Sequence, residues 1–318
     1  MSSSSQTRTS TLAGYVFIAG ATFFWGLSAA LGKLVFTGSL GSVTGPSELG
    51  PVILAQTRTT FSVLLLFPLL RLAGHRKPAN MTRRDIAWAM VIGILGIAGS
   101  NYFYYLAIAK TTVATAIILQ YTAPIWVLLY MVVRGLQRAT WERLAGVGMA
   151  VVGAVLAIGV FQGAGIKLNA VGVTAALLAA LTFSFYNVGG GELVRRLDRW
   201  YVILYALGGS SLFWIVANPP WKIWAAHYSV SQWVFLLIFA CVSMLVPFSL
   251  YFSGLRHLDV TRAIVVSCLE PVWAIGFAWA LAKETVTALQ ILGMVIVIAA
   301  TIIVQLSDRS TVKLTPDD

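Results

Sequence analysis

Runs of about 20 apolar residues follow one another along this chain with hardly a polar break between them. That is the length a helix needs to cross the hydrocarbon core of a bilayer. Inside such a core no water satisfies backbone N–H and C=O groups, so each run must close its hydrogen bonds within itself, as a helix. Ten runs can be delimited, approximately 14–36, 51–72, 85–108, 112–134, 142–161, 170–192, 200–217, 231–253, 260–282 and 287–306. The split at Lys110 and Thr111 rests on length alone. Only 10% of the 318 residues are charged and 58% are apolar, against about 25% charged in a soluble domain. Too little polar surface is available to cover this chain in water, so the expected fold class is an all-α integral membrane protein.

The net charge of +11 would suggest nucleic acid in a soluble protein, but cytoplasmic loops of membrane proteins collect Lys and Arg. With the N-terminus inside, the inner segments hold Arg8; Arg71, Arg76, Lys77, Arg83 and Arg84; Arg134, Arg138 and Arg143; Arg195, Arg196 and Arg199; Arg256 and Arg262; Arg309 and Lys313. The outer segments hold Lys33, Lys110, Lys167, Lys222 and Lys283, and Arg58 stands inside a span. The imbalance of 16 to 5 supports ten helices with both termini cytoplasmic. The first run lacks a small-residue cleavage site and is expected to be a retained span. Cys241 and Cys268 both lie in apolar runs and form no disulfide framework.

The chain also repeats itself. Residues 104–160 align with 251–307 without a gap at an offset of 147, so that Tyr104 falls on Tyr251, Ala116 on Ala263, Pro124 on Pro271, Trp126 on Trp273 and Gly146 on Gly293. Five spans per copy is an odd number, so the second copy must lie inverted in the membrane. The expected organisation is a tail (1–13), a first five-helix repeat (14–161), an inverted second repeat (170–306) and a second tail (307–318). Inverted repeats are the architecture of many secondary transporters, with the substrate held near the midplane between the copies.

The run LEPVWAIGFAWALAKETVTALQILGMVIVIAATII (269–303) carries Glu270, Pro271, Glu284 and Leu289 to Gly293. It resembles the closing signature of the EamA-type branch of the drug/metabolite transporter superfamily. FFWG (23–26) with Lys33 resembles that family's first-helix motif, and Arg58 sits where the family carries an arginine in its second helix. The aromatic content is most similar to the YddG-type amino-acid exporters. The resemblance implies a ten-helix exporter of aromatic and other neutral amino acids in the cell inner membrane. The loop 37–50 is longer than the family's usual first connection, and Ala123 and Gln137 stand in the first copy where the second has Glu270 and Glu284.

Two intramembrane features ask for an explanation. Pro124 and Pro271 each remove a backbone hydrogen bond and bend a helix, at equivalent places in the two copies; they are candidate hinges, or else shape static, bowed helices. Glu270 costs roughly 2.5–3.5 kcal/mol at a helix centre on insertion scales, so it is expected to face the bundle, either paired or carrying a coupling proton. Arg58 is the other charge well within a span, though direct pairing is not expected because the two sit toward opposite faces.

A transported amino acid needs polar partners for its charged groups and aromatic walls for its side chain. Mid-span candidates are Trp25 and Ser28 in the first span; Asn101, Tyr102 and Tyr105 in the third; Gln120 in the fourth; Phe183 and Asn187 in the sixth; Tyr251 in the eighth; and Ser267 in the ninth. Each has an alternative reading as interhelical glue. Trp88, Trp141, Trp200, Trp221, Trp224 and Trp233 lie near span ends, as interface anchors do, and Gly93, Gly96 and Gly99 read as a close-packing face.

No HExxH, GxSxG or P-loop pattern occurs, and His75, His227 and His257 are far apart in loops. The expected protein is therefore a secondary or facilitated transporter working by alternating access. It needs no cofactor, metal or ATPase subunit, and its partners are the lipid bilayer and small-molecule amino acids rather than nucleic acid. Another metabolite or a cationic drug is the alternative cargo; a membrane enzyme or a channel is the more distant reading.

Overall fold

The computed structural model describes residues 2–36, 49–78, 80–111, 113–158, 169–282 and 285–311. Glu284 and most of the long first loop lie outside them. Helices account for almost all of the described chain, and no strand occurs among the described residues. In order they are α1 (Ser2–Phe36), α2 (Pro51–Leu72), α3 (Arg83–Val91, Ile92–Ala98 and Gly99–Lys110) and α4 (Val113–Gln120 and Ala123–Val133). Next come α5 (Trp141–Ala157), α6 (Ala170–Arg196), α7 (Arg199–Ala217) and α8 (Val230–Ala240, Cys241–Leu245 and Val246–Gly254). The last two are α9 (Val260–Ser267 and Glu270–Ala282) and α10 (Ala288–Thr311). Nine of these are long and apolar enough to cross a membrane. The remaining one, α5, is described over 17 residues.

Side chains mark where the chain turns into helix. Thr82 and Asp85 form a reciprocal capping box at the start of α3, as do Ser229 and Gln232 at α8. Asp198 accepts from the N–H groups of Trp200 and Tyr201 at α7, and Asp259 from Arg262 N–H at α9. Such caps satisfy N–H groups that have no partner inside the helix, and each is worth about 0.5–2 kcal/mol.

Glycines show how the helices run. In α5 and α10, Gly146 faces Val304, Gly153 faces Val297 and Gly293 faces Ala157. Numbers rise along one helix as they fall along the other, so the pair is antiparallel. Since Gly146 and Gly293 are equivalent positions of the repeat, the two copies are inverted with respect to each other. The same relation recurs elsewhere. α1 runs antiparallel to α8, with Ile18 against Gly254 and Gly20 against Leu250. Its counterpart α6 runs antiparallel to α3, with Gly172 against Lys110 and Gly189 against Ile92. α2 packs on α8 and α7 on α3, so the first two helices of each copy lean on the third helix of the other. Gly93 and Gly96 permit this: a Cβ at Gly93 would run into the Ala206 carbonyl of α7, and one at Gly96 into Tyr186 of α6.

The apolar surface is distributed as a bilayer requires. Ile18, Ile92, Leu193, Leu207 and Phe252 are fully buried at the contacts between copies. Leu64, Val133, Val216 and Ile302 stand exposed on outer faces, where only lipid could cover them. Trp141 at the start of α5, and Trp221 and Trp224 in the short helix Pro220–Ala225 that links α7 to α8, are exposed, where an aromatic ring can sit at headgroup level.

Both α4 and α9 are interrupted, at equivalent points. The breaks fall at Tyr121–Thr122 and at Cys268–Leu269, and a new helical segment begins at Ala123 and at Glu270. Pro124 and Pro271 thus occupy the first turn of a half-helix rather than a helix interior. Their missing N–H is no loss there. Glu270 likewise starts its segment, where the helix dipole favours a negative charge. The π-helical stretches Ile92–Ala98 in α3 and Cys241–Leu245 in α8 also coincide under the repeat, since Cys241 falls on Ile94 and Leu245 on Ala98.

Candidate functional site

The interrupted and π-helical segments bring several polar side chains together inside the bundle. Arg58 of α2 donates from Nη2 to Asn101 Oδ1 of α3 at 2.6 Å. Asn101 in turn donates from Nδ2 to the Ile97 carbonyl, 2.8 Å away in the π-helical stretch. The Arg58 Nε is buried and has no hydrogen-bond partner. Gln120 of α4 donates from Nε2 to the hydroxyl of Ser100, the residue before Asn101, at 3.4 Å.

Glu270 lies at the mouth of the second half of α9. It is half-buried, in the first turn of that segment. Its charge interacts with Arg58, Tyr104, Tyr121 and Tyr186. No ion pair within 4.0 Å and no hydrogen bond joins Glu270 to another described residue. Arg58 and Glu270 are therefore close enough to feel each other but not in contact. Tyr104 and Tyr121 are half-buried as well.

Beside this polar group lies an aromatic cluster. Trp25 of α1 packs against Phe248 and Tyr251 of α8, with ring centroids 5.6 and 5.2 Å apart. Tyr186 of α6 meets Phe183 edge-on at 5.0 Å and stacks with Phe248 at 6.0 Å. Tyr251 Oη donates to Asn187 Oδ1, and Asn187 Nδ2 donates to the Phe183 carbonyl at 2.7 Å. Tyr186, through its interaction with Glu270, joins the two groups.

The residues singled out in the sequence therefore separate. Arg58, Asn101, Tyr105, Gln120 and Glu270 keep accessible surface within the bundle. Trp25, Asn187 and Tyr251 are packed into the aromatic cluster, with Phe183 half-buried at its side. Ser28 and Ser267 turn their hydroxyls to carbonyls of their own helices, Trp25 O at 2.9 Å and Ile264 O at 2.7 Å. Tyr102 is not brought to this place: it is 44% exposed on the outer side, edge-on to Phe213. Tyr104 and Tyr121 went unmarked in the sequence. Tyr104 was visible there as the repeat partner of Tyr251, while Tyr121, which falls on Cys268, left no signal. Among the described residues no group of three or more His, Cys, Asp and Glu is placed to hold a metal ion.

Comparison with known proteins bears directly on this arrangement of two copies. The description of the EamA-like transporter family matches twice, over residues 12–159 and 170–306. The chain belongs to the EamA-like transporter family. It is similar to the uncharacterized inner membrane transporter YicL of Salmonella typhimurium, 20% identical with 94% of this chain and 97% of that one covered. It is also similar to an uncharacterized transporter of Archaeoglobus fulgidus, 26% identical over 66% of this chain and 75% of the other. A third relative is the uncharacterized transporter YdeK of Bacillus subtilis, 25% identical over 82% and 89%. A solved structure shares the fold, with a TM-score of 0.72 at 19% identity, covering 96% of this chain and 99% of its own. This EamA-like chain is thus a multi-pass membrane transporter.

Proposed function

We propose that this transporter exports amino acids, aromatic and other neutral ones, across the cell inner membrane by alternating access through a crevice between its two repeats. The observation that carries the reading is the set of half-buried polar and tyrosyl side chains, from Arg58 and Asn101 to Tyr121 and Glu270, enclosed in an otherwise apolar bundle. Polar groups in hydrocarbon are costly and mark substrate pathways, and aromatic rings beside them suit a large neutral side chain. Export and amino-acid cargo are supported by the resemblance to the YddG-type exporters, and the inner membrane by the relative named for it. The equivalent breaks ahead of Pro124 and Pro271 supply bending points in α4 and α9. Ten helices with both termini cytoplasmic fit the charge distribution.

The test is flux through purified protein in liposomes, with labelled amino acids beside nucleosides and cationic dyes. Preferential movement of phenylalanine, tryptophan or leucine is expected. Movement of dyes or nucleosides alone would replace the cargo and leave the transporter in place. Pro124→Ala combined with Pro271→Ala is expected to slow turnover more than either change alone while leaving substrate affinity nearly unchanged. An unaltered rate in the double variant would remove the hinge.

A further inference from the structure

We infer that Arg58 and Glu270 form a receptor for a zwitterion, with the substrate's carboxylate on Arg58 and its ammonium on Glu270. The inference rests on the transporter reading of the same crevice, and it names what that crevice recognises.

Three observations lead to it. Arg58 is the sole cation well within a described span, and its guanidinium is held only in part: Asn101 fixes Nη2 at 2.6 Å, while the buried Nε has no hydrogen-bond partner. A guanidinium fixed at one corner with another donor vacant is prepared to take a carboxylate on two parallel N–H groups. Glu270 is the complementary case, a carboxylate deep in the molecule with accessible surface and no hydrogen bond or ion pair among the described residues. Two opposite charges in a low-dielectric interior would ordinarily gain by closing on each other. Here they stay beyond the 4.0 Å of an ion pair while still interacting: Arg58 is tethered to α3 through Asn101, and Glu270 is fixed at the start of a half-helix. A solute carrying both charges a short distance apart fits between them and completes both. Tyr104 and Tyr121, which share the electrostatic environment of Glu270, would face its remaining polar edge.

The arrangement also separates cargo by charge. An amine without a carboxylate leaves Arg58 unpaired, and an acid without an ammonium leaves Glu270 unpaired. A site built to pair a charged group rejects the analogue that lacks it strongly, because its own buried partner is then left unsatisfied.

The experiment uses the intact protein in liposomes loaded for counterflow of labelled phenylalanine. Its competitors are unlabelled phenylalanine, phenethylamine, which lacks the carboxylate, and 3-phenylpropionate, which lacks the ammonium. Wild-type protein is expected to prefer phenylalanine by at least about tenfold over each analogue. Arg58→Gln is expected to erase the discrimination against phenethylamine and keep that against 3-phenylpropionate; Glu270→Gln is expected to do the reverse. Thermal unfolding of the wild-type protein in detergent gives the same comparison without any variant: phenylalanine should raise the melting temperature and neither analogue should. Equal competition by all three compounds, or variants that weaken all three alike while phenylalanine still moves, would overturn the receptor and leave amino-acid transport standing. If amino acids neither move nor stabilise the protein but taurine, a zwitterion with a sulfonate, does both, the receptor stands and the amino-acid reading falls.

Discussion

Glu270 and Pro271 show how a residue pair that looks awkward in a sequence can be comfortable in a structure. Read as the interior of one long span, the pair demands both a buried charge and a broken helix. Placed at the start of a half-helix, Pro271 gives up an N–H that had no partner to lose, and Glu270 meets the positive end of the dipole. The sequence contained the proline and its repeat mate Pro124, so the place of the break could be read to within a few residues. What could not be read was that the helix stops at Cys268–Leu269 before restarting, because a proline specifies a lost hydrogen bond and not how neighbours replace it. Asn187 is the other residue whose role depends on its setting. It is fully buried and accepts from Tyr251 Oη, so Tyr251→Phe should leave its oxygen without that donor. Interhelical hydrogen bonds in membranes average about 0.6 kcal/mol and reach about 1.7. Tyr251→Phe is expected to lower the melting temperature in detergent by that modest amount while phenylalanine flux persists. A loss of flux with an unchanged melting temperature would instead give the Tyr251 hydroxyl a direct part in handling substrate.

At the scale of helices, period and length revealed the elements but not their partners. Ten apolar runs gave the approximate spans, and the repeat at an offset of 147 pointed to inversion. That α1 and α2 lean on α8 of the other copy, while α6 and α7 lean on α3, was not legible, since apolar helix faces are chemically alike to lipid and to each other. Small residues were the exception: Gly93 and Gly96 were read as a packing face, and each meets a neighbouring helix closely. The two π-helical stretches left no mark in the sequence either; the one in α3 contains the Ile97 carbonyl that accepts from Asn101, and Asn101 in turn holds Arg58. The pair α5 and α10 supplies a direct test of close approach. A Cβ on Gly153 would sit 2.8 Å from Val297 N and 2.9 Å from Gly293 O, both backbone atoms that cannot swing aside. On Gly148, in the same helix, a Cβ would meet nothing within 4 Å. Gly153→Leu is expected to destabilise the protein by about 1–3 kcal/mol or more through overpacking, seen as a lower melting temperature and a smaller monodisperse fraction on size exclusion. Gly148→Leu should behave as wild type, and equal damage from both changes would mean that helix propensity rather than helix contact decides.

In the whole molecule the two copies are tied together at both ends of the bundle, at one of them by Gln56 and Asn218, which exchange hydrogen bonds of 2.8 and 2.6 Å. At the arginine-rich end, ion pairs and hydrogen bonds cross from one copy to the other. Arg143 lies 3.4 Å from Asp259, Arg196 lies 2.8 Å from Asp85, Thr261 donates to Gln137 at 2.6 Å, and Tyr201 donates to the His75 carbonyl at 2.9 Å. Asp259 also pairs with Arg262 at 3.2 Å. His257 nearby has its pKa pushed below the usual histidine value by burial and by Arg256 and Arg199. For cytoplasmic solute to enter through this end these links must part, and Asp259 is the link that can be weakened most cleanly. Asparagine caps a helix as well as aspartate does, so Asp259→Asn keeps the start of α9 and removes only the charge. Arg143 and Arg262 are both largely buried beside it, so losing the charge weakens this end by more than the roughly 1 kcal/mol of an exposed pair, a shift of at least about fivefold in a two-state balance. Cys268 reports the shift. It is buried at the break in α9, and with Cys241 replaced by alanine it is the sole thiol in the chain. In inside-out vesicles, Asp259→Asn is expected to speed modification of Cys268 by a membrane-impermeant thiol reagent at least about fivefold, and phenylalanine should change that rate. The same rate with and without the substitution would mean that the ion pair fastens a static end of the protein, and the moving closure would then have to lie on the opposite side.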